Sequence, residues 1–232
     1  CESLGAKYHD RYTGTCGLMG SFSFFFSHHM QTMEGGMILT DDKKLYELCV
    51  SLTAHGWIRD LPKDNTIFKI TGNPFYDSFN FVVPGYNIRP LEMSGAIGSV
   101  QLRKLPSFID KRRKNAQIFK ALFKNEANIR TQQETQLSSW FGFSLILTNS
   151  LSGQRDNLVD ILIKNNIECR PIVAGNFTKN PVIKFLDYEV CGDLAASDEI
   201  HQNGFFVGND FRDLSNEINW LHCLIKDFEK NI

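Results

Sequence analysis

The six cysteines of this chain, at positions 1, 16, 49, 169, 191 and 223, include no C-x-x-C pair. Their spacing fits neither a zinc module nor a disulfide framework, so reduced thiols and a cytoplasmic protein are expected. Cys49 and Cys223 fall on apolar faces of expected helices, where thiols are usually buried. Long hydrophobic runs are missing too. Stretches such as Phe22 to Ser27 and Trp140 to Leu147 are far too short to cross a bilayer, and no secretory signal is visible. Neither sign of charge is in excess. The 25 Lys and Arg nearly balance the 26 Asp and Glu, leaving a net charge of -1. That removes the electrostatic argument for nucleic acid or an anionic membrane as partner. Finally, the chain has no initiator Met. It opens on Cys1-Glu2-Ser3-Leu4-Gly5 without a polar lead, as if inside a domain, and is expected to be a piece of a longer protein.

What is present reads as an ordinary globular balance, with 42% hydrophobic and 22% charged residues. Residues 5 to 20 read as a loop or hairpin. Residues 21 to 27 and 36 to 40 read as strands. A helix follows to Ala54, capped by Asp41 or Asp42, with Leu45, Leu48, Cys49 and Leu52 on its apolar face and Gly56 ending it. Residues 57 to 77 form a long polar loop of the kind that carries function. Residues 78 to 83 read as a strand. Pro90 starts a helix to Leu102 with Met93, Ala96, Ile97, Val100 and Leu102 apolar, and a second helix covers roughly 107 to 125. The basic run Lys111 to Lys114 on the latter reads as a solvated face. Beyond that, a strand (140 to 148), helix (155 to 165), strand (167 to 173), short strand (205 to 207) and final helix (214 to 230) make a compact α/β unit. The expected domains are 1–126 and 127–232, joined through the polar stretch from Asn125 to Ser138.

The chemistry concentrates in S-F-S-F-F-F-S-H-H-M-Q-T-M-E-G-G, residues 21 to 36. His28 and His29 sit where a strand ends, and open α/β sheets bind ligands beyond strand ends. Side chains of adjacent strand residues point to opposite faces, so the pair does not chelate one ion while the strand continues. General acid/base work and a pair of hydrogen-bonded loop histidines both fit this stretch. Ser21, Ser23 and Ser27 share the face opposite Phe22, Phe24 and Phe26. Their hydroxyls could bind a phosphate, or simply pack as small residues.

The serine-phenylalanine strand before a Glu-Gly-Gly turn, followed by G-Y-N-I-R-P-L-E-M-S-G-A-I-G-S-V-Q-L-R-K-L at residues 85 to 105, resembles the DegT/StrS-type sugar aminotransferases. The resemblance covers nearly the whole chain. It implies an α/β architecture of fold type I, the aspartate-aminotransferase fold, with residues 1–126 as the remainder of a cofactor-binding large domain and 127–232 as a small domain. The family's lysine, which holds pyridoxal phosphate as a Schiff base, is replaced here by His28, and no lysine lies between Lys7 and Lys43. Imidazole cannot form that bond but moves protons near neutral pH. The substitution resembles the branch of sugar 3-dehydratases that use pyridoxamine phosphate to remove the C3 hydroxyl of a nucleotide-linked 4-keto-6-deoxy sugar.

One member of that branch carries an iron–sulfur cluster on four cysteines. Cys1 could match the first, but residues 56 to 70 contain no cysteine, so no Fe–S cluster is expected. The segments F-S-H-H, T-M-E-G-G, H-G-W-I-R-D and E-C-R-P-I-V-A-G-N-F resemble instead the cluster-free members acting on a GDP-linked sugar in deoxysugar and O-antigen biosynthesis. The resemblance implies His28 as the acid/base and Ser23 as a ligand of the cofactor phosphate. It implies that Asn87 reaches the phosphate of a partner subunit's cofactor in a homodimer with shared active sites. His55, Arg59 and Arg170 are its candidate substrate contacts, and glutamate its amino donor. His29 has no assigned role. The family's pyridine-pairing aspartate precedes the position of Cys1, so this piece alone is expected to be inactive. Two alternatives are a pyridoxal-phosphate-dependent nucleotide-sugar aminotransferase and a non-catalytic remnant of such an enzyme.

Overall fold

A computed structural model describes residues 2–232, and its contacts divide the chain into two compact units, residues 1–106 and 107–232. Among the described residues, no helix is long and apolar enough to cross a membrane.

The first unit is built from short elements. Strands β1 (Lys7–Tyr8) and β2 (Arg11–Tyr12) form one antiparallel hairpin, and β3 (Gly20–Ser23) and β4 (Gly36–Leu39) form another. Ser23 pairs with Gly36 at the end of the second ladder. The expected strand through residue 27 therefore stops at Ser23, and His28 lies in the loop beyond it. Helix α1 (Lys43–Thr53) starts where Asp42 accepts the Leu45 amide at 2.9 Å. Its apolar residues are only half-buried; the fully buried side chains are Glu47 and Ser51. The expected strand over residues 78 to 83 is reduced to an isolated bridge between Trp57 and Phe81, because α2 (Pro74–Asp77) and its turn take up the preceding chain.

Helix α3 (Glu92–Phe123) runs unbroken for 32 residues where two helices were expected. Pro106, the expected stop, lies inside it and coincides with the boundary of the units. A proline removes one backbone bond from a helix, but packing on its flanks can outweigh that loss. On the N-terminal side Met93 and Leu102 are exposed, so the expected apolar face is not a buried one in this chain. Leu105, just before Pro106, is buried, and so are Ile109, Ala116, Phe119 and Phe123 on the C-terminal side.

The second unit carries an antiparallel sheet in the order β5 (Ile129–Thr131), β6 (Gly142–Leu147), β8 (Gly204–Gly208), β7 (Cys169–Arg170). Helices α4 (Arg155–Lys164), α5 (Ala195–Asn203) and α6 (Ser215–Lys230) complete it. Its core gathers Phe119 and Phe123 from α3, Phe143, Leu145 and Leu147 from β6, Leu158 and Leu162 from α4, and Ile218, Leu221 and Ile225 from α6. Phe119 stacks on Phe143 with ring centroids 4.2 Å apart. The basic run on α3 is not uniformly solvated. Arg112 is buried, and its Nη1 donates to the carbonyls of Phe141 (3.1 Å) and Asn209 (2.6 Å). Cys223 is exposed, because the buried face of α6 passes through 218, 221 and 225 and leaves 223 off it.

Candidate functional site

The sequence candidates of the first unit fall into two clusters. The first is the loop between β3 and β4. The Phe24 amide donates to the Gly35 carbonyl at 2.9 Å, the Thr32 amide to Phe24 at 2.8 Å, and the His28 amide to Phe25 at 3.0 Å. Phe24 and Met30 are buried and act as apolar pins. Thr32 is buried as well, and a methyl group added at Gly98 would stand 3.2 Å from its Cγ2. The Thr-Met-Glu-Gly-Gly turn and the helix that follows Gly-Tyr-Asn thus pack closely at a glycine. Ser23 ends β3, with its Oγ accepting the Phe25 amide at 3.3 Å.

This loop separates the two histidines. His29 points inward and is buried, while His28 is half-buried with the Phe25 ring edge-on at 6.3 Å. Burial holds the His28 imidazole below its ordinary pKa, with the Glu2 carboxylate acting in the opposite sense. A neutral imidazole at neutral pH is the form that accepts a proton. Cys1, the sequence candidate for a first cluster ligand, lies outside the described residues. Among the described residues no three His, Cys, Asp or Glu side chains are grouped to hold a metal ion.

The second cluster joins the His-Gly-Trp-Ile-Arg-Asp loop to the Gly-Tyr-Asn-Ile-Arg turn. The His55 amide donates to Tyr86 (2.7 Å), the Tyr86 amide to Leu52 (2.7 Å), the Ile88 amide to Thr53 (3.1 Å), and Ala54 bridges Asn87. Two glycines make this approach possible. Gly56 has φ +85°, and a Cβ there would stand 1.8 Å from the Val83 carbonyl oxygen; one on Gly85 would stand 2.1 Å from the Gly56 nitrogen. Asn87 is exposed, His55 half-buried and Arg59 exposed.

Trp57, which sequence reading passed over, is the hub of this cluster. It is buried, and its Nε1 donates to Asp60 at 3.0 Å. The Arg59 guanidinium lies over its ring at 3.2 Å from the centroid, Arg89 lies at 5.5 Å, and the His55 ring meets it edge-on at 5.0 Å. Among the described residues, neither guanidinium has a carboxylate partner. Two cations oriented by an aromatic face and free of ion pairs are suited to an anionic ligand. The signal was present in the sequence as a tryptophan two residues before Arg59, but only the fold brings Arg89 beside it.

The polar loop after Trp57 is tied to α1 by its buried acid. Glu47 accepts from the Thr66 amide and hydroxyl, each at 2.7 Å. Burial pushes this carboxyl up, but the Thr66 bonds and Lys43 outweigh it and hold the pKa below the usual range. Ser51 donates to the Trp57 carbonyl at 3.0 Å. Buried polar side chains on α1 therefore position the loop that carries His55 and Arg59.

Arg170 belongs to the second unit. It is exposed on β7, 3.8 Å from Glu168, with its guanidinium 5.5 Å from the Phe206 ring. Its neighbour Cys169 is half-buried, and burial pushes that thiol up to about 11.

The sequence pattern of the DegT/DnrJ/EryC1/StrS aminotransferase family matches residues 1–209. A GDP-4-keto-6-deoxy-D-mannose 3-dehydratase from Yersinia pseudotuberculosis is 55% identical over 97% of this chain and 58% of its own length. The chain thus spans less than two thirds of the curated relatives it matches. The E. coli GDP-4-keto-6-deoxy-D-mannose-3-dehydratase, solved with bound hydrated PLP, superimposes with a TM-score of 0.94 at 50% identity, over 97% of this chain and 58% of that one. Other structures of enzymes so described, with TM-scores of 0.93 to 0.94, include one with a trapped PLP-glutamate geminal diamine. In another a histidine is replaced by lysine and the serine before it by asparagine, and in a third a histidine is replaced by asparagine and GDP-perosamine is bound.

Proposed function

We propose, from the premise that the chain belongs to the DegT/DnrJ/EryC1/StrS aminotransferase family, that it is part of a cytoplasmic 3-dehydratase acting on a GDP-linked 4-keto-6-deoxy sugar. The observation that carries the reading is His28. It is the histidine of the chain's single Ser-His dipeptide, in a segment with no lysine from Lys7 to Lys43. Its imidazole is half-buried, and that burial lowers its pKa. A serine-histidine pair is changed in a dehydratase variant, and Ser27 and His28 are the candidates for that pair in this chain. An aminotransferase, by contrast, needs a lysine at this place.

The donors present fit a phosphorylated pyridine cofactor: a hydroxyl on Ser23, an exposed amide on Asn87, and an imidazole in place of an amine. Pyridoxamine phosphate, when bound, supplies the amine that joins the substrate's 4-keto carbon and the ring that takes up electrons. Ser23 would donate its hydroxyl to the phosphate. Asn87 would do so from a partner subunit in a homodimer. His28 would remove a proton from the cofactor's C4′ carbon and deliver a proton to the departing C3 oxygen. One imidazole can do both, because its neutral form accepts and its protonated form donates. Arg59 and Arg89, held on Trp57, would face the negative charge of the GDP-linked sugar, with His55 beside them. Arg170 is the candidate substrate contact of the second unit, and glutamate would restore the amine.

The test is turnover of GDP-4-keto-6-deoxy-D-mannose, with glutamate, by the full chain that carries this segment. Release of ammonia and loss of the C3 hydroxyl are expected. His28→Asn should lower turnover about 10² to 10⁴-fold, the usual contribution of a positioned acid/base. Undiminished turnover in that variant, or a 4-amino sugar as product of the unaltered enzyme, would overturn the reading.

A further inference from the structure

Residues 171–177, which follow Arg170, form a turn that is strained at its tip and clamped at its base. Val173 is 88% exposed with φ +54°, a conformation β-branched residues rarely adopt. Such backbone persists only where its surroundings hold it. The hold is at Asn176. This residue is buried, and its polar groups are all engaged. Its Nδ2 donates to Asp198 at 2.7 Å, its Oδ1 accepts from the Thr178 amide (3.1 Å) and hydroxyl (2.7 Å), and its backbone amide donates to His201 Nδ1 at 3.3 Å. Asp198 and His201 lie three residues apart on α5, so one helix face makes both contacts. The fit is close. Gly175 has φ +65°, and a methyl group there would stand 2.4 Å from His201 Nδ1. Lys179 pairs with Asp198 at 2.6 Å, and Arg155 donates to the His201 carbonyl.

We propose that Asp198 and His201 are positioning residues: they grip Asn176, hold the 171–177 turn against its own strain, and thereby aim Arg170 and the exposed tip at the substrate. The inference rests on the reading of Arg170 as a substrate contact. Neither α5 residue is given a part in the proton steps. The clamp requires His201 to present Nδ1 as an acceptor, which only the tautomer protonated on Nε2 does.

The requirement dictates the variants. His201→Phe keeps the ring and loses the acceptor; His201→Asn places an amide oxygen near the position of Nδ1. Both are made in the full chain that carries this segment. Amide exchange of residues 171–177 and the split of KM against kcat are measured. In His201→Phe, exchange and KM should each rise by about two- to ten-fold, the loss expected for one hydrogen bond, while kcat changes by less than two-fold. His201→Asn should restore both. Asp198→Ala removes the other half of the grip, and is read in the same way should His201→Phe not fold. Unchanged exchange overturns the clamp. Raised exchange with unchanged KM overturns the aim at the substrate and leaves the dehydratase reading standing. An unaltered enzyme that turns over no GDP-linked sugar sinks that reading instead, and the exchange measurement still decides the clamp.

Discussion

The two units solve the problem of holding a fold in different ways. Unit 107–232 has an extensive apolar core, in which Phe119, Leu145, Leu147, Leu158, Leu162 and Ile225 are sealed from solvent. Each such side chain contributes about 1.5–3 kcal/mol by leaving water. Among the described residues, unit 1–106 gathers no comparable core. Its sheets have two strands each, its buried residues include His29, Thr32, Glu47 and Ser51, and Phe75, Phe79, Tyr86 and Leu91 are exposed. What orders it is backbone hydrogen bonding between loops, two glycines in contact, and polar side chains with defined partners. Most of the candidate site residues lie in that second kind of structure. Directional bonds set positions more narrowly than apolar contact, which is non-directional.

Four measurements test this contrast. The largest effect is expected from Phe119→Ala, which opens a cavity between α3 and β6. It should cost about 3–5 kcal/mol in denaturant unfolding. A loss below 1 kcal/mol would show that the second unit does not depend on its core as argued.

Gly56→Ala should cost about 1–3 kcal/mol, because the new methyl meets the Val83 carbonyl and φ +85° strains any other residue. Its signature is local. Amide exchange of His55, Tyr86 and Ile88 should rise while residues 142–147 keep their protection. Uniform loss across both units would show that these loops are not held on their own terms.

The next effect is one of pH. Burial places the folded-state pKa of His28 below 6.5, so the unfolded chain takes up this proton first as the pH falls. Stability tied to neutral His28 is therefore present above 6.5 and is lost as the pH drops through that value toward the folded pKa. The same shift should leave kcat/KM flat down to pH 6.5, with an acid limb below it. A limb at or above 6.5 would contradict the burial argument.

The smallest effect is chemical. With its pKa near 11, Cys169 carries about one thiolate in 10⁴ molecules at pH 7. Iodoacetamide should label exposed Cys16, Cys191 and Cys223 well before it. Early labelling of Cys169 would mean that β7 opens readily.

Much of this was readable in order along the chain. Asp42 capped α1, and the turn through His55 (φ +60°) and Gly56 followed its end, because such side-chain and backbone preferences act within a turn or two. The α4 and α6 helices and strand β6 followed from periodicity, since the second unit buries apolar side chains on regular faces. The same rule failed for α1. Its buried side chains are Glu47 and Ser51, chosen by Thr66 and Trp57, residues that no local pattern connects to them. It failed for Arg112, whose basic neighbourhood reads as solvated but whose guanidinium is needed by two distant carbonyls. The short strand β5 and helix α5 went unread because their patterns are weak and their packing partners are remote.

By itself, then, the order of residues determined the family, the lack of any lysine between Lys7 and Lys43, and the local punctuation of helices and turns. Each depends on residue identity or on neighbours within a few positions. It took the folded chain to part His28 from His29, to gather Arg59, Arg89 and His55 on Trp57, and to bring α5 against the turn after Arg170. Those outcomes rest on burial and on contacts between residues far apart in the chain, and such contacts exist only once the chain has closed upon itself.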